Sequence, residues 1–278
     1  MDINPYVPVK AEILAVTQET GSDLDIKTYL IDLEGGLKLD FKPGQFVQIS
    51  IPGIGEAPFG FASDPFDNSR LEFTIKRTGM LTESIHSLDI GDSLWVRGPF
   101  GNSFPIDKLV GRDIFILGGG IGLAPLRPLI YYVFNENQRK NFGKINLLIA
   151  GRGSADLIYK REYEQWSKMS DTEITLTIDK DEQNWEGKVG FPHNIVDDIQ
   201  FDPSKVTAVL CGPPVMIKAV SQKLRDMGIA PEHIITTLEM RMTCGIGTCG
   251  KCNIGHQYVC VDGPVFSIKE LENMPEEY

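Results

Sequence analysis

Short apolar runs alternate with turn-forming clusters over the first hundred or so residues, a pattern that predicts β-strands. The runs are rich in Val, Ile, Phe and Leu, and they span residues 9–16, 26–33, 45–51, 71–77 and 93–97. Turn clusters at 34–36, 42–44 and 89–92 separate them, and one helix is predicted over 81–88. Closely spaced strands of this kind indicate a barrel or a sandwich.

The hydrophobic pattern changes after Gly111, where strand-like and helix-like segments alternate. Strands are predicted at 113–117, 145–150, 173–178 and 206–211, and helices at 123–137, 157–168 and 214–227. This alternation indicates a parallel sheet of the doubly wound type. A cysteine-rich segment begins near residue 231, so we predict three units at 1–108, 109–230 and 231–278.

Length and charge narrow the class of protein. A chain of 278 residues favours two domains with an appendage. The formal net charge of -11 argues against nucleic acid, because phosphate binding needs a basic face. The most apolar window, 114–134, is broken by glycines and prolines, so no membrane span is predicted, and the first residues do not resemble a secretory signal. We therefore expect a cytoplasmic protein.

A glycine cluster, 118-GGGIGLAP-125, lies between a predicted strand and a predicted helix. Glycines allow the backbone to approach an anion, and a helix N-terminus offers free N–H groups, so the order predicts a nucleotide phosphate site. Leu123 stands where the dinucleotide fingerprint has its last glycine, and a tight turn is the alternative. At the end of another strand, 211-CGPPVM-216 should face the same crevice, unless Cys211 is an inert buried thiol.

Four of the five cysteines lie within 243-TCGIGTCGKCNIGHQYVC-260. Their spacing, C-x4-C-x2-C-x7-C, begins as plant-type [2Fe–2S] loops do, whereas zinc ribbons usually have two separate C-x2-C pairs. Disulfides are disfavoured in a reducing cytoplasm. We therefore favour a [2Fe–2S] cluster over zinc and over disulfides, with these ligands: Cys244, Cys249, Cys252 and Cys260.

A β domain followed by GG-x-G-x-AP and then CGPP-x-M resembles the ferredoxin–NADP reductase superfamily. The resemblance implies an antiparallel β-barrel that binds flavin and an α/β parallel-sheet domain that binds a nicotinamide dinucleotide. It places Gly119, Gly120, Gly122 and Pro125 along the dinucleotide, and Cys211, Gly212 and Pro213 near the nicotinamide. Arg152 and Ser154 occupy the expected ribose position and favour NADP over NAD, although Arg152 could equally be a solvated loop residue.

The family's flavin motif, Arg-x-Tyr-Ser or Arg-x-Tyr-Thr, is altered here to 56-EAPFGFAS-63, with Ala57 in place of the arginine. Phe59 can still offer an aromatic face, and backbone N–H groups around Gly60 and Phe61 could replace the lost hydroxyl donor. The expected flavin contacts here are Pro58, Phe59, Gly60 and Phe61. A second element, 79-GMLTESIH-86, predicts phosphate contacts from Gly79, Met80, Leu81 and Thr82, unless Thr82 is a plain helix cap. FAD is favoured over FMN.

The C-terminal segments 239–255 and 258–266 are similar to two kinds of electron-transfer subunit. One is the gamma subunit of cytoplasmic nickel–iron hydrogenases and sulfhydrogenases, and the other belongs to dihydroorotate dehydrogenase. The absence of an arginine at position 57 favours the hydrogenase kind. The resemblance puts Glu239 near the flavin–nicotinamide junction, where it and Cys211 are candidate catalytic residues, unless Glu239 is an ordinary surface acid.

These cofactors imply a relay, because nicotinamides exchange electrons in pairs and iron–sulfur clusters exchange them singly, so a flavin must stand between them. We expect electrons to pass between NAD(P)H and another redox subunit, hydrogenase-like or dehydrogenase-like, that docks near the cluster. The alternatives are a free-standing NAD(P)H:acceptor reductase and a non-catalytic redox sensor.

Overall fold

Two large sheets and one small one form the frame of the molecule. The computed structural model describes residues 4–21, 24–67 and 69–275, so the chain ends at 1–3 and 276–278, which belong to the predicted first and third units, lie outside the described residues. The sheets have six, seven and two strands. None of the helices in the described ranges is long and apolar enough to cross a membrane.

The first sheet is antiparallel and forms the β-barrel, in the order β4-β3-β6-β1-β2-β5. Its strands are β1 Val9–Gln18, β2 Ile26–Leu33, β3 Phe46–Ile51, β4 Gly55–Gly60, β5 Leu71–Lys76 and β6 Ser93–Phe100, and helix α1 spans Met80–His86. Because side chains alternate between the two faces of a strand, Ile13, Ile31 and Phe73 all point into one apolar core. Strand β4 was not among the predicted strands. Helix α1 begins one residue and ends two residues before its predicted bounds, as is usual for element ends.

The second sheet lies in the dinucleotide domain, in the order β10-β9-β8-β7-β11-β12-β15. Its strands are β7 Asp113–Gly119, β8 Ile145–Gly151, β9 Thr172–Ile178, β10 Lys188–Val189, β11 Val206–Cys211, β12 Ile234–Thr237 and β15 Val265–Ser267. The helices of this region are α2 Ile106–Leu109, α3 Leu123–Phe134, α4 Tyr163–Ser167, α5 Pro192–Ile195 and α6 Pro214–Asp226. Side chains of α3 and α6 belong to two separate apolar clusters, as expected when helices cover both faces of a sheet.

The cysteine-rich segment is attached to the edge of that second sheet. Strand β15 pairs antiparallel with β12, and helix α7, Ile268–Leu271, follows it directly. Between β12 and β15, strands β13 Asn253–Ile254 and β14 Gln257–Tyr258 form the two-stranded sheet. The second sheet therefore extends beyond residue 230.

The helix predicted over 157–168 is wrong for its first half. Leu157 is extended, and Tyr159 adopts a left-handed conformation with φ of 60°. Leu157, Ile158 and Tyr159 are buried in the core that the dinucleotide domain shares with its neighbours. Tertiary packing thus overrides the apolar pattern, and the α-helix is confined to Tyr163–Ser167.

Arg127 of α3 joins the two large domains. Its guanidinium donates to the carbonyl oxygen of Ala62, at 2.9 Å, and to the carboxylate of Glu72, both in the barrel. It also donates to Glu162 of its own domain at 2.7 Å. Nearby, the hydroxyl groups of Thr74 and Tyr159 lie 2.5 Å apart across the same boundary. The glycine cluster that begins α3 is thereby fixed relative to the barrel.

Candidate functional site

A cavity of about 670 Å³ opens at the carboxyl ends of β7, β8 and β11, where ligands bind in doubly wound sheets. The glycine cluster and the CGPP segment meet there, and both line the cavity through Gly119, Gly120, Gly122, Gly212 and Pro213. A side chain at position 122 would not fit, because its Cβ would lie 2.5 Å from the carbonyl oxygen of Cys211. The two sequence motifs are therefore parts of one dinucleotide-sized site.

Cys211 lies behind this cavity rather than in its lining. Its side chain is buried, and the hydroxyl of Thr237 donates to its sulfur at 3.0 Å. Burial raises the pKa of the thiol to about 12. A thiol of that kind stays protonated at neutral pH, which favours the alternative of an inert buried thiol.

The expected ribose end of the cavity carries acids as well as Arg152. Asp156 and Asp179 line the cavity together with Arg152, whose Nε donates to the Asp156 carboxylate at 2.7 Å. Partial burial raises the pKa of Asp179. Ser154 is absent from the lining, and its backbone N–H donates to Glu182 at 3.1 Å. Carboxylates suit ribose hydroxyl groups, so this end is less suited to a 2′-phosphate than the sequence indicated.

A second cavity, of about 450 Å³, lies between the barrel and the dinucleotide domain. Residues Ala57, Pro58, Phe59 and Gly60 of β4 form one wall. Pro125 lines this cavity and not the dinucleotide cavity, so its predicted contact with the dinucleotide stays a prediction. Pro125 lies on the first turn of α3 and faces the barrel, where a Cβ at Gly60 would lie 3.2 Å from the Pro125 Cβ.

The predicted flavin contact at Phe61 is wrong. Strand β4 ends at Gly60, and the chain then turns inward, so the Phe61 ring stacks on Phe41 with centroids 3.9 Å apart in the barrel core. Its backbone N–H donates to the carbonyl of Gln45 at 3.4 Å. Neither the ring nor the N–H group is available to a ligand.

The second predicted flavin element, residues 79–86, reaches the flavin-sized cavity through Thr82. Thr82 and Thr78 line the cavity, whereas Gly79, Met80 and Leu81 do not. Met80 is 67% exposed, and Leu81 packs against the barrel core. The Thr82 hydroxyl accepts the backbone N–H groups of Thr78 and Gly79 at 2.8 and 2.9 Å, so it acts as a helix cap beside the cavity.

Lys76 was missed by the sequence reasoning. Among the residues that the structure describes, it is the single basic side chain that lines the flavin-sized cavity. Lys76, Ile121 and Glu239 line both cavities, so the two cavities adjoin at these three side chains. The only sequence signal was a basic residue at the end of a predicted strand, which is too common to be diagnostic.

The four clustered cysteines are free thiols at the end of the barrel. Cys252 and Cys260 are buried, and Cys249 is exposed. Across the described part of the chain, no three His, Cys, Asp or Glu side chains converge as a metal-ligand set. The thiols instead lie as two neighbouring pairs, Cys244 with Cys249 and Cys252 with Cys260.

The chemistry of this loop nevertheless fits an iron–sulfur cluster. Backbone N–H groups point at sulfur atoms, from Gly247 to Cys260 at 3.1 Å and from Cys249 to Cys244 at 3.4 Å. Gly247 has a φ of 76°, which lets the backbone wrap inward. Burial raises the pKa of Cys244, but hydrogen bonds from Thr248 and from backbone N–H groups outweigh it and lower that pKa to about 6. Thiolates surrounded by N–H donors are the ligands that such clusters require.

The segment before the cysteines connects their loop to the flavin-sized cavity. Residues Thr237, Leu238, Glu239, Met240 and Met242 all line that cavity. The side-chain amide of Gln48, in the barrel, donates to the carbonyl of Met242 at 3.3 Å. The first cysteine follows two residues later, so the cluster loop begins where the cavity wall ends.

Comparison with known families matches each part of the chain separately. Residues 14–104 match the oxidoreductase FAD-binding domain, and residues 116–222 match the oxidoreductase NAD-binding domain. Residues 239–272 match the iron–sulfur cluster binding domain of dihydroorotate dehydrogenase B. These matches coincide with the barrel, the parallel sheet and the cysteine loop.

Relatives extend over nearly the whole chain. The Sulfhydrogenase 1 subunit gamma of Pyrococcus furiosus is 37% identical, over 98% of this chain and 94% of its own. A probable dihydroorotate dehydrogenase B (NAD(+)), electron transfer subunit, of Thermoplasma acidophilum is 34% identical, over 85% of this chain and 83% of its own.

The fold is also that of a solved NADH-dependent reduced ferredoxin–NADP oxidoreductase, with a TM-score of 0.74 and 24% identity over 93% of this chain and 88% of that one. The family models agree on the redox groups, because they cover FAD binding, NAD binding and iron–sulfur cluster binding. The chain belongs to the ferredoxin–NADP reductase family, as a flavin-dependent NAD(P)H oxidoreductase subunit with FAD, a nicotinamide dinucleotide and an iron–sulfur cluster as its redox groups.

Proposed function

We propose that the chain carries electrons between NAD(P)H and a partner redox subunit of a hydrogenase or sulfhydrogenase type complex, through FAD and a [2Fe–2S] cluster. One observation carries the proposal: the three candidate sites are contiguous. The dinucleotide and flavin cavities share Lys76, Ile121 and Glu239, and the far wall of the flavin cavity leads into the cysteine loop. Such contiguity is what an electron relay needs.

The residues that line the two cavities have distinct proposed roles. When bound, FAD exchanges electrons in pairs with the nicotinamide and singly with the cluster. The glycine cluster admits the dinucleotide diphosphate, and Phe59 offers an aromatic face to the flavin. Lys76 supplies a cation where Ala57 has replaced the family's arginine. Glu239 holds a carboxylate at the junction of the two cavities.

The assignment of the cluster to the [2Fe–2S] type rests on the sequence spacing of the four cysteines. All four thiols come from one segment of seventeen residues, Cys244 to Cys260, which begins with the C-x4-C-x2-C step of plant-type clusters. The buried pair Cys252 and Cys260 faces the protein, and Cys249 faces outward. Electrons would therefore leave on the Cys249 side.

The surface around Cys249 suits a protein partner. Tyr258 is 37% exposed and Val261 is 49% exposed, and Val261 lies against Gly247 of the cluster loop. We propose that the partner redox subunit covers these two side chains and approaches the cluster there. The sulfhydrogenase gamma relative, which matches 98% of this chain, favours a hydrogenase-type partner over a dihydroorotate dehydrogenase.

Anaerobic reduction tests the relay. Adding NADH or NADPH to the purified chain should bleach the flavin absorption first, and the electron paramagnetic resonance (EPR) signal of a reduced [2Fe–2S] cluster should follow. A chain whose flavin is not bleached by either nucleotide would act as a redox sensor at most. A tetrahedral zinc site, found by metal analysis without acid-labile sulfide, would contradict the cluster.

The docking face needs its own experiment. A tagged chain should copurify with a protein that has hydrogenase activity, and Val261→Asp should weaken that association while the cluster signal stays unchanged. The matched control is Ile90→Asp, because Ile90 is an apolar side chain that is 68% exposed in a barrel turn. Equal weakening by both substitutions would remove the basis for placing the partner at Cys249, and dihydroorotate oxidation in the purified complex would assign the other partner.

A further inference from the structure

Arg97 is a buried arginine that no cofactor cavity uses. It lies on β6 with 8% of its surface exposed, and it is absent from the lining of both cavities. Its guanidinium pairs with Glu56 in a two-point contact, Nε to Oε1 at 2.7 Å and Nη2 to Oε2 at 2.5 Å. An arginine–carboxylate fork of this kind is rigid and directional.

The remaining donors of Arg97 point at the cluster loop. Nη1 donates to the carbonyl oxygen of Cys244 at 2.7 Å, and Nη2 donates to that of Thr243 at 3.2 Å. The guanidinium carbon also lies 5.2 Å from the centre of the Phe100 ring. All three guanidinium nitrogens are therefore engaged, two of them on the backbone of the first cysteine and its neighbour.

Glu56 connects this contact to the flavin. It belongs to β4, whose next four residues, 57–60, line the flavin-sized cavity. The Arg97–Glu56 pair thus links the strand that lines the flavin-sized cavity to Cys244, the first cysteine of the loop. Sequence separation hides the link, because Glu56 and Cys244 are far apart along the chain.

We propose that Arg97 and Glu56 are positioning residues for the cluster. They hold the backbone of Cys244 against the flavin-binding strand, and so fix both the shape of the ligand loop and the distance from flavin to cluster. The inference rests on the proposed function, because it assumes that the loop holds a cluster. Groups that orient a metal ligand typically change metal affinity by about 10–100-fold when they are removed.

Three substitutions separate the parts of this arrangement. Arg97→Lys keeps the positive charge, but one ammonium cannot reproduce a two-point carboxylate contact and two carbonyl contacts together. Arg97→Met removes the charge and keeps the apolar stem. The matched control is Arg112→Lys, because Arg112 also bonds two backbone carbonyls, those of Ser204 and Val206, but in the dinucleotide domain.

Cluster properties, not turnover, are the main readout. In the full chain with its cluster reconstituted, both Arg97 variants should lose iron to a chelator about 10–100-fold faster than the wild type. Their EPR line shape and cluster midpoint potential should change as well. Bleaching of the flavin by NADH should stay at the wild-type rate, and Arg112→Lys should match the wild type in all cluster measurements.

A metal-free measurement adds a second test. Arg241 and Lys251 are exposed trypsin sites on either side of Cys244. In the full chain stripped of iron, cleavage at these sites should be faster in Arg97→Met than in Arg112→Lys. If folded Arg97→Lys keeps the wild-type EPR spectrum, potential and chelator rate, the positioning role is overturned while the relay stands. If the wild type cannot be loaded with a cluster, both proposals fall together.

Discussion

Replacing Arg127 by methionine should destabilise the chain and slow flavin reduction, because this guanidinium joins the barrel to the glycine-cluster helix. The side chain is 4% exposed and bonds Ala62, Glu72 and Glu162 at once. Methionine keeps most of the apolar volume and removes only the charge and the donors. The consequence should therefore be electrostatic rather than a packing defect.

The size of the effect follows from what remains buried. The Glu162 side chain is 10% exposed, so in the variant its carboxylate would keep little water, and its remaining cation would be Arg161, whose Nη2 lies 3.7 Å from Glu162 Oε1. Removing one partner of a buried pair costs about 3–5 kcal/mol of unfolding free energy. The double variant Arg127→Met/Glu162→Gln leaves no unpaired charge at that position, so it should recover about 0.5–3 kcal/mol relative to Arg127→Met.

Urea unfolding of the holoprotein measures this loss of unfolding free energy. The fluorescence of Trp95 in the barrel and of Trp166 in α4 reports on the two sides of the domain boundary. Arg77→Met is the control, because Arg77 is 54% exposed and its pair with Asp25 should contribute about 0–1 kcal/mol. Stopped-flow bleaching of the flavin by NADH should be slower in Arg127→Met alone. A loss no larger than that of the control would refute the assignment of Arg127 as the joint between the domains.

Three further outcomes are expected. Cys249→Ser should lose the visible absorption and EPR signal of the cluster while NADH still bleaches the flavin, and loss of flavin binding would contradict the separation of the two sites. If Arg152 binds a 2′-phosphate, as the sequence predicts, Arg152→Ala should raise the KM for NADPH more than that for NADH, whereas equal increases would agree with the acid-lined ribose end and leave no reason to prefer NADP. Burial lowers the pKa of His86 from 6.5, so its contribution to stability is present above pH 6.5 and is lost as the pH falls towards the lower folded-state pKa. His86→Gln should therefore flatten the fall in urea midpoint below pH 6.5, and an unchanged pH profile would argue against this residue as the cause.

Features that depend on neighbouring residues could be predicted from the sequence. The strands of the barrel alternate apolar and polar positions, and the glycine cluster lies directly between a strand and a helix, so both were visible as local patterns. The order of the three parts along the chain then sufficed for the family resemblance. Local pattern and global fold agree in these regions, as expected of a foldable sequence.

Features that depend on distant pairing could not be predicted in this way. Strand β15 reaches the edge of the dinucleotide sheet only after the chain has passed through the cysteine loop, and three residues carry little periodicity. Phe61 and Pro125 are the same kind of case, because which side of the domain boundary they face is decided by packing. The sequence motifs predicted which part of the site Phe61 and Pro125 lie near, but not which cavity or core their side chains face.

The junction of the two cavities shows what the altered flavin motif requires. Lys76 comes from the barrel, Ile121 from the glycine cluster and Glu239 from the segment before the cysteines, so three separate parts of the chain must meet to form it. With Ala57 in place of arginine, Lys76 is the single basic side chain that lines the flavin-sized cavity among the described residues. Flavin retention should then depend on backbone and hydroxyl donors such as those near Thr82, and on the correct docking of the two domains.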